Sequence, residues 1–298
     1  MKKITTFFMA LFVMLASIPA SSQQKYVTTA ADKACAARIM EAMQEADRSA
    51  AEPLGVRDLM LLAGERMLGT GYVAGTLDDD PVREELRIYL TKTDCILFVE
   101  TCLALARTVA ACRADVPSFD SFAMQVASTR YRCRPPYRYS DRIHYTTEWI
   151  RRQEGRLKDL TLDLGGEVYD HPIDFMTKHY KSYKQLADAA NIPRAALDLK
   201  RIGEIEDELN KEPMTFIPKD KVDAAAWGIE SGDIICFVSA VEGLDIAHVA
   251  MAYVKGGRVG FMHASQKDGK VEIDPKTIAE YVSGRSNLAG IKVVRPLD

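Results

Sequence analysis

The chain has 298 residues and nearly balanced charge, 39 Lys and Arg against 42 Asp and Glu, for a formal net charge of −3. That length can bury a sizeable core in one large domain or two small ones. The mild acidity and interspersed signs argue against a nucleic-acid partner, which would call for a basic face.

Residues 1–22 read as a signal peptide. Lys2 and Lys3 form a basic start, Phe7 to Ile18 an apolar core, and Ala20-Ser21-Ser22 a small-residue cleavage site before Gln23. The apolar part is too short for a resident membrane helix, and no second segment is long enough. The expectation is an exported protein, periplasmic or secreted, without stable membrane insertion after cleavage. All six cysteines (Cys35, Cys95, Cys102, Cys112, Cys133 and Cys236) follow the leader, where disulfides are permitted. Their pairing stays open. No C-x-x-C spacing occurs, which disfavours a structural zinc site.

Ala31 to Ala51 carries a helical apolar stripe, broken by Pro53 and Gly55. Val56 to Leu68 reads as a second helix ended by Gly69. Gly69-Thr70-Gly71-Tyr72-Val73-Ala74-Gly75-Thr76 cannot be regular helix; three glycines there suggest backbone passing close to something. From Cys95 to Ala111 the only charges are Glu100 and Arg107, so this helix must be buried on most sides. Asp94, or Thr93 before it, is its expected N-cap, which leaves Cys95 in the first turn. Free N–H groups and the helix dipole favour an anion there. A thiol so placed can fall from a pKa of about 8.5 to roughly 3.5–7.5. Taken alone, a free cysteine is more often a small buried hydrophobe, the reading that suits Cys102 and Cys112.

Ser118 to Arg130 follows as a helix capped by Ser118. Arg130 to Tyr139 is a basic, aromatic, proline-broken loop leading into an expected helix from Asp141 to Gln153, with Arg142, His144, Tyr145 and Trp149. Such residues suit a sugar or a carboxylate, or simply an ordinary solvated surface. Residues 156–225 alternate short helices with extended pieces, with turns expected at Asn191-Ile192-Pro193 and Thr215-Phe216-Ile217-Pro218. His171 and His179 have no partner at ligand spacing. Beyond Gly232 the pattern turns to strands: Asp233 to Ala240, Ala247 to Val254, Arg258 to Ser265 and Ala289 to Val294, with a short helix from Thr277 to Ser283. Helices first and strands afterwards imply an α+β fold with a mostly antiparallel sheet.

Gly256-Gly257 reads as a two-residue hairpin loop, which sets Lys255 opposite Arg258, and hence Ala250 opposite His263 and His248 opposite Ser265. All four side chains of the latter two pairs then share one face. His248 and His263 become diagonal neighbours, about 7–8 Å apart at the backbone and within reach of each other's rings. A cysteine at a helix N-terminus with two touching imidazoles matches the nucleophile, base and orienting group of a covalent hydrolase. A Cys-His-His zinc site uses the same residue types, but needs a further ligand or an open water site to which the sequence does not point.

The same residues resemble a known family. Gly69 to Leu77, Asp94-Cys95 and Phe98-Val99-Glu100 are similar to the start of NlpC-like, papain-fold cysteine hydrolases. More closely, the chain resembles exported N-acetylmuramoyl-L-alanine amidases of that superfamily. The likeness runs through Arg142-Ile143-His144-Tyr145, Glu148-Trp149-Ile150, Asp174-Phe175-Met176, Tyr183, Ile205-Glu206, Phe216-Ile217-Pro218-Lys219 and Gly232-Asp233-Ile234-Ile235. It ends in Gly243-Leu244-Asp245-Ile246-Ala247-His248-Val249 and His263-Ala264-Ser265. The resemblance implies Cys95 as nucleophile, His248 as general base, His263 as orienting residue and Tyr72 beside the nucleophile. It implies a papain-like, NlpC-type fold, the nucleophile helix packed on the sheet. Residues 23–298 would form a single domain with a helical and loop insertion at about 113–225. Thr70, Tyr72, Arg142, His144, Trp149 and Asp245, all within the matching motifs, are candidates for substrate contact. Two positions depart from the pattern: Gly71 stands where the family usually has proline, and Ile96-Leu97 replace a pair of small hydroxyl residues.

The implied reaction cleaves the amide between the lactyl group of muramic acid and L-alanine, with anhydro-muropeptides as favoured substrates and no metal or organic cofactor. The alternatives are a γ-D-glutamyl endopeptidase of the same fold, or a wall-binding protein that has lost catalysis.

Overall fold

The computed structural model describes residues 26–78, 83–182, 191 and 193–298. The expected signal peptide, Tyr183 and Ile192 lie outside the described residues. Five helices lead into and flank the site: α1 (Ala30–Ser49), α2 (Val56–Arg66), α3 (Cys95–Ala111), α4 (Phe119–Arg130) and α5 (Thr146–Arg151). The strands in chain order are β1 (Tyr26–Val27), β2 (Gly71–Tyr72), β3 (Leu86–Arg87), β4 (Lys92–Thr93), β5 (Leu157–Asp159), β6 (Glu167–Tyr169), β7 (Met214–Pro218), β8 (Ile234–Ser239), β9 (Ile246–Lys255), β10 (Arg258–Ser265), β11 (Lys270–Ile273) and β12 (Leu288–Pro296). β1 pairs only with β3; the rest form one sheet in the order β4-β2-β11-β10-β9-β8-β12-β7-β6, with β5 also on β12. Apart from the two-residue β2–β4 contact its ladders are antiparallel. The expected α+β architecture with a mostly antiparallel sheet is therefore present.

Alternation along the strands splits the core between the two faces of the sheet. Val249, Met251 and Met262 face the helices and pack with Phe98, Leu103, Met60 and Met43. Ala250, Ala252 and Phe261 face the opposite way and pack with Phe237, Ile278 and Val282. Helix α3 fits the first face because its apolar residues run all round it, Phe98 to Ala106 being buried without interruption. The hairpin forms in the expected register, from Lys255 opposite Arg258 to Met251 opposite Met262. Both loop glycines have positive φ, 58° and 78°, as a type I′ turn demands.

Two sequence expectations fail, and a third, the turn at Asn191 to Pro193, is met at Asn191 but not at Pro193. The segment expected to be helical from Asp141 is a 3₁₀ turn, Tyr139–Asp141, then extended chain, with helix only over α5. Backbone pairing with the preceding loop takes one carbonyl and one N–H that a helix would need: Asp141 O accepts from Arg132 N–H at 2.8 Å and Ile143 N–H donates to Arg130 O at 2.8 Å. Thr215–Pro218 is not a turn but most of β7, with Pro218 at its last position, where a missing donor is tolerated. Pro193 does not mark a turn alone; it opens a 17-residue helix to Leu209, and proline is at home in a first helical position. That helix escapes a reading by apolar period because two of its buried positions are Asp198 and Glu206. The former accepts from Arg138 and Ser140, the latter from Tyr145 at 2.5 Å and from Thr177.

Among the described residues no helix is long and apolar enough to cross a membrane.

Candidate active site

Asp94 caps α3 as its spacing predicts: its backbone is extended and its Oδ1 accepts from Leu97 N–H at 2.9 Å. The cap uses the Leu97 amide and leaves Cys95 in the first turn. Cys95 Sγ is approached by the amides of Ile96 and of Val249, the residue after His248. These N–H groups favour a thiolate, but burial and then the Asp94 carboxylate outweigh them, and the thiol is pushed up to about 12. The lowered thiol pKa that a helix N-terminus alone would give is thus overturned in the resting site. Cys95 is half-buried at the floor of the cleft, and the capping residue is itself an acid.

His248 stands near the start of β9. Opposite β8 the register shifts between Phe237 and Val238, so that Phe237 pairs with His248 and Val238 with Ile246. Ala247 is the extra residue, and a bulge of this kind re-aims the side chains around it. His248 Nε2 lies 2.7 Å from His263 Nδ1, the two rings edge to face at 4.9 Å between centroids. The contact expected from the hairpin register is made. Phe237, Phe261 and Tyr281 wall the pair, with Phe237 5.6 Å from His248 and Phe261 4.9 Å from His263. Burial, then the neighbouring His263, then Arg285, hold His248 down to about 3. Burial lowers His263 to about 4, opposed by Asp274. Thiol and both imidazoles are neutral across the physiological range.

Cys95 and His248 line a single cleft of about 200 Å³, whose opposite wall comes from Arg130, Arg142, His144 and Trp149. This wall is clamped by charge rather than by apolar packing. Glu100 of α3 is ion-paired with Arg130 of α4, both buried. Arg142 is ion-paired with Asp78, with Glu84 Oε1 3.5 Å away. Burial works against the Arg142 charge, but Glu84 and Asp78 more than offset it. His144 Nε2 lies 2.9 Å from Tyr139 O and is kept neutral by burial and then by Arg142.

The structure therefore gathers Cys95, His248, His263, Arg142, His144 and Trp149 at one place. Tyr72 lies close to Cys95 without lining the cleft: burial above all pushes its hydroxyl up to about 12, so it remains a donor. Thr70 and Asp245 are not in the cleft wall. The carbonyl of Thr70 accepts from Val271 N–H at 2.8 Å. Asp245 is buried and accepts from Thr147 N–H at 2.7 Å, which caps α5. Just before it, Gly243 adopts φ of 81°, and a Cβ there would come within 2.4 Å of Asp174. His171 stacks on Tyr169 and His179 lies against Phe175, away from the cleft. Among the described residues no three His, Cys, Asp or Glu side chains are grouped to hold a metal ion.

Sequence reasoning missed Glu100 as a cleft residue, and Tyr281 entirely. One signal was available: a charge inside an otherwise apolar helix needs a buried partner, and Glu100 is such a charge.

Residues 62–291 match the model of a family described as AmiA-like, N-acetylmuramoyl-L-alanine amidase-like. Among solved structures, the chain is similar to an N-acetylmuramoyl-L-alanine amidase from Bacteroides uniformis, at 31% identity and TM-score 0.70, covering 82% of this chain and 99% of that one. A Bacteroides fragilis protein with a provisional xylanase name matches at 30% identity and TM-score 0.67, over 78% of this chain and 98% of that one. A Legionella pneumophila protein shares the fold at 19% identity and TM-score 0.66, over 91% and 97%. No match was found among curated proteins.

Proposed function

The chain belongs to the AmiA-like, N-acetylmuramoyl-L-alanine amidase-like family, and from that premise we propose that it is an exported cysteine amidase of papain-like, NlpC type. It acts on peptidoglycan fragments and cuts the amide between the lactyl group of muramic acid and L-alanine. The observation that carries this reading is the cleft shared by Cys95, at the N-terminus of a buried helix, and His248, hydrogen-bonded to His263.

Cys95 Sγ attacks the lactyl carbonyl. Because the resting thiol and imidazole are both neutral, the proton passes to His248 as the carbon–sulfur bond forms, rather than beforehand. The oxyanion meets first-turn amides of α3 that the Asp94 cap does not consume, with the Tyr72 hydroxyl as a further donor. His248, now charged, protonates the leaving L-alanine amine. Water, deprotonated by His248, then hydrolyses the thioester. No step calls for a metal or an organic cofactor. Ile96, beside Cys95 in the cleft, supplies apolar contact there.

A xylanase reading finds less support. Glycoside hydrolysis uses two carboxylates roughly 5–9.5 Å apart on either side of the bond. Among the described residues the only carboxylate in the cleft wall is Glu100, which is taken up by Arg130.

Incubation with a defined anhydro-muropeptide, followed by mass measurement of the products, tests the proposal. Release of the intact stem peptide from the sugar is expected. A dipeptide left on the sugar would instead identify a γ-D-glutamyl endopeptidase. Absence of turnover, with binding unaltered by Cys95→Ala, would identify a wall-binding protein.

A further inference from the structure

Behind the imidazole pair the structure holds a carboxylate that the Cys-His-His scheme does not use. The β10–β11 ladder pairs His263 with Glu272, and Asp274 follows directly after β11. Asp274 is fixed on two sides. Its main-chain N–H donates to Phe261 O at 3.0 Å, and its Oδ1 accepts from Lys276 N–H at 2.8 Å. The remaining oxygen, Oδ2, points to His263 and lies 3.5 Å from Nε2. That nitrogen is buried and has no hydrogen bond in the resting geometry. Glu272 Oε1 is farther away, at 3.9 Å.

A proton count gives this carboxylate a task. The contact between His248 Nε2 and His263 Nδ1 holds one hydrogen. For His248 to accept a proton from Cys95 on its other nitrogen, Nδ1, it must carry its own proton on Nε2 and donate it to His263. His263 must then carry its proton on Nε2, the atom that faces Asp274. We infer that Asp274 is a positioning residue. It selects the Nε2–H tautomer of His263, and through it the Nε2–H tautomer of His248, leaving His248 Nδ1 free as a base. A shift of a few tenths of an ångström closes the 3.5 Å gap to hydrogen-bond distance. Asp268 and Asp274 favour positive charge on His263 and Arg285 opposes it, so removing one carboxylate does not remove the acidic surroundings.

This role rests on the reading of Cys95 and His248 as nucleophile and base, but one readout is independent of turnover. In Asp274→Asn, Lys276 N–H keeps an oxygen on its own side and so turns the amide NH₂ toward His263 Nε2. Long-range ¹H–¹⁵N correlation spectra of the wild type should show both His248 and His263 as Nε2–H tautomers. In Asp274→Asn both should change to Nδ1–H, and kcat on an anhydro-muropeptide should fall by about 10²- to 10⁴-fold with KM little altered. Glu272→Gln should keep the wild-type tautomers and lose less than about tenfold.

Unchanged tautomers in Asp274→Asn, or a kcat within about threefold of wild type, would overturn the role. Inversion by Glu272→Gln instead would overturn it too. A wild type that shows the tautomers but no turnover would count against the amidase reading and leave the relay standing.

Discussion

The two walls of the cleft are built in opposite ways. The β9–β10 wall is an apolar hairpin: its residues alternate between two cores, and the only ionisable side chains it sends into the site are two neutral imidazoles. The facing wall, from α4 through residues 131–149, is held by buried ion pairs, Arg130 with Glu100, Arg132 with Glu148, and Arg142 with Glu84, and by the half-buried Asp78 on Arg142. Apolar alternation specifies a register, because a one-residue slip would turn every core side chain to the wrong face. Ion pairs specify instead which side chain meets which, at a desolvation cost that only good geometry repays. The hairpin wall can thus present proton-transfer groups at a defined spacing, while the charged wall holds an irregular segment against α3.

Four substitutions or conditions probe this contrast, beginning with the largest effect. His248→Ala should lower kcat/KM by about 10³-fold or more, a far larger effect than on the melting temperature, since the ring borders the second core but also lines the cleft. A large fall in melting temperature would mean that the imidazole pair is structural.

On the charged wall the effect should fall on stability. Arg130→Met leaves Glu100 buried and unpaired, with an expected loss of about 3–5 kcal/mol by urea titration. A loss below 1 kcal/mol would show that this wall does not depend on its ion pairs. Acidification should act on the hairpin wall. His248 and His263 stay neutral in the folded protein down to about 3 and about 4, whereas unfolded histidine takes up its proton near 6.5. Between those limits the unfolded chain binds more protons, so stability is full above about pH 6.5 and declines as pH falls toward 3. His248→Gln combined with His263→Gln should flatten that slope; an unchanged slope would refute the assignment.

The smallest effect is expected at Gly64, where α2 meets the hairpin. An added Cβ would come within 2.4 Å of Met251 Cε and 2.8 Å of Met262 Sδ, both ends of flexible side chains. Gly64→Ala also gains helix propensity of up to about 1 kcal/mol. The two effects should leave stability within about 1 kcal/mol of wild type, and a larger loss would mean that the methionines cannot yield.

What the sequence determined by itself was whatever depends on short-range pattern. The cap at Asp94, the uninterrupted burial of α3, the Gly256-Gly257 turn and the meeting of His248 with His263 all follow from periods of 3.6 and 2.0 with a fixed loop between them. Only the tertiary structure decided the rest, because it depends on partners far apart in the chain. Arg142 to Tyr145 is extended because Ile143 N–H donates to Arg130 O and the Asp141 carbonyl before it accepts from Arg132 N–H. Asp198 and Glu206 point inward because Arg138, Ser140 and Tyr145 reach them across about sixty residues. Asp274 reaches His263 because β11, a strand too short and polar to announce itself, folds back on β10. Cys95 shows both sides at once: its place at the helix mouth was written in the spacing, whereas the desolvation that raises its thiol comes from the assembled protein around it.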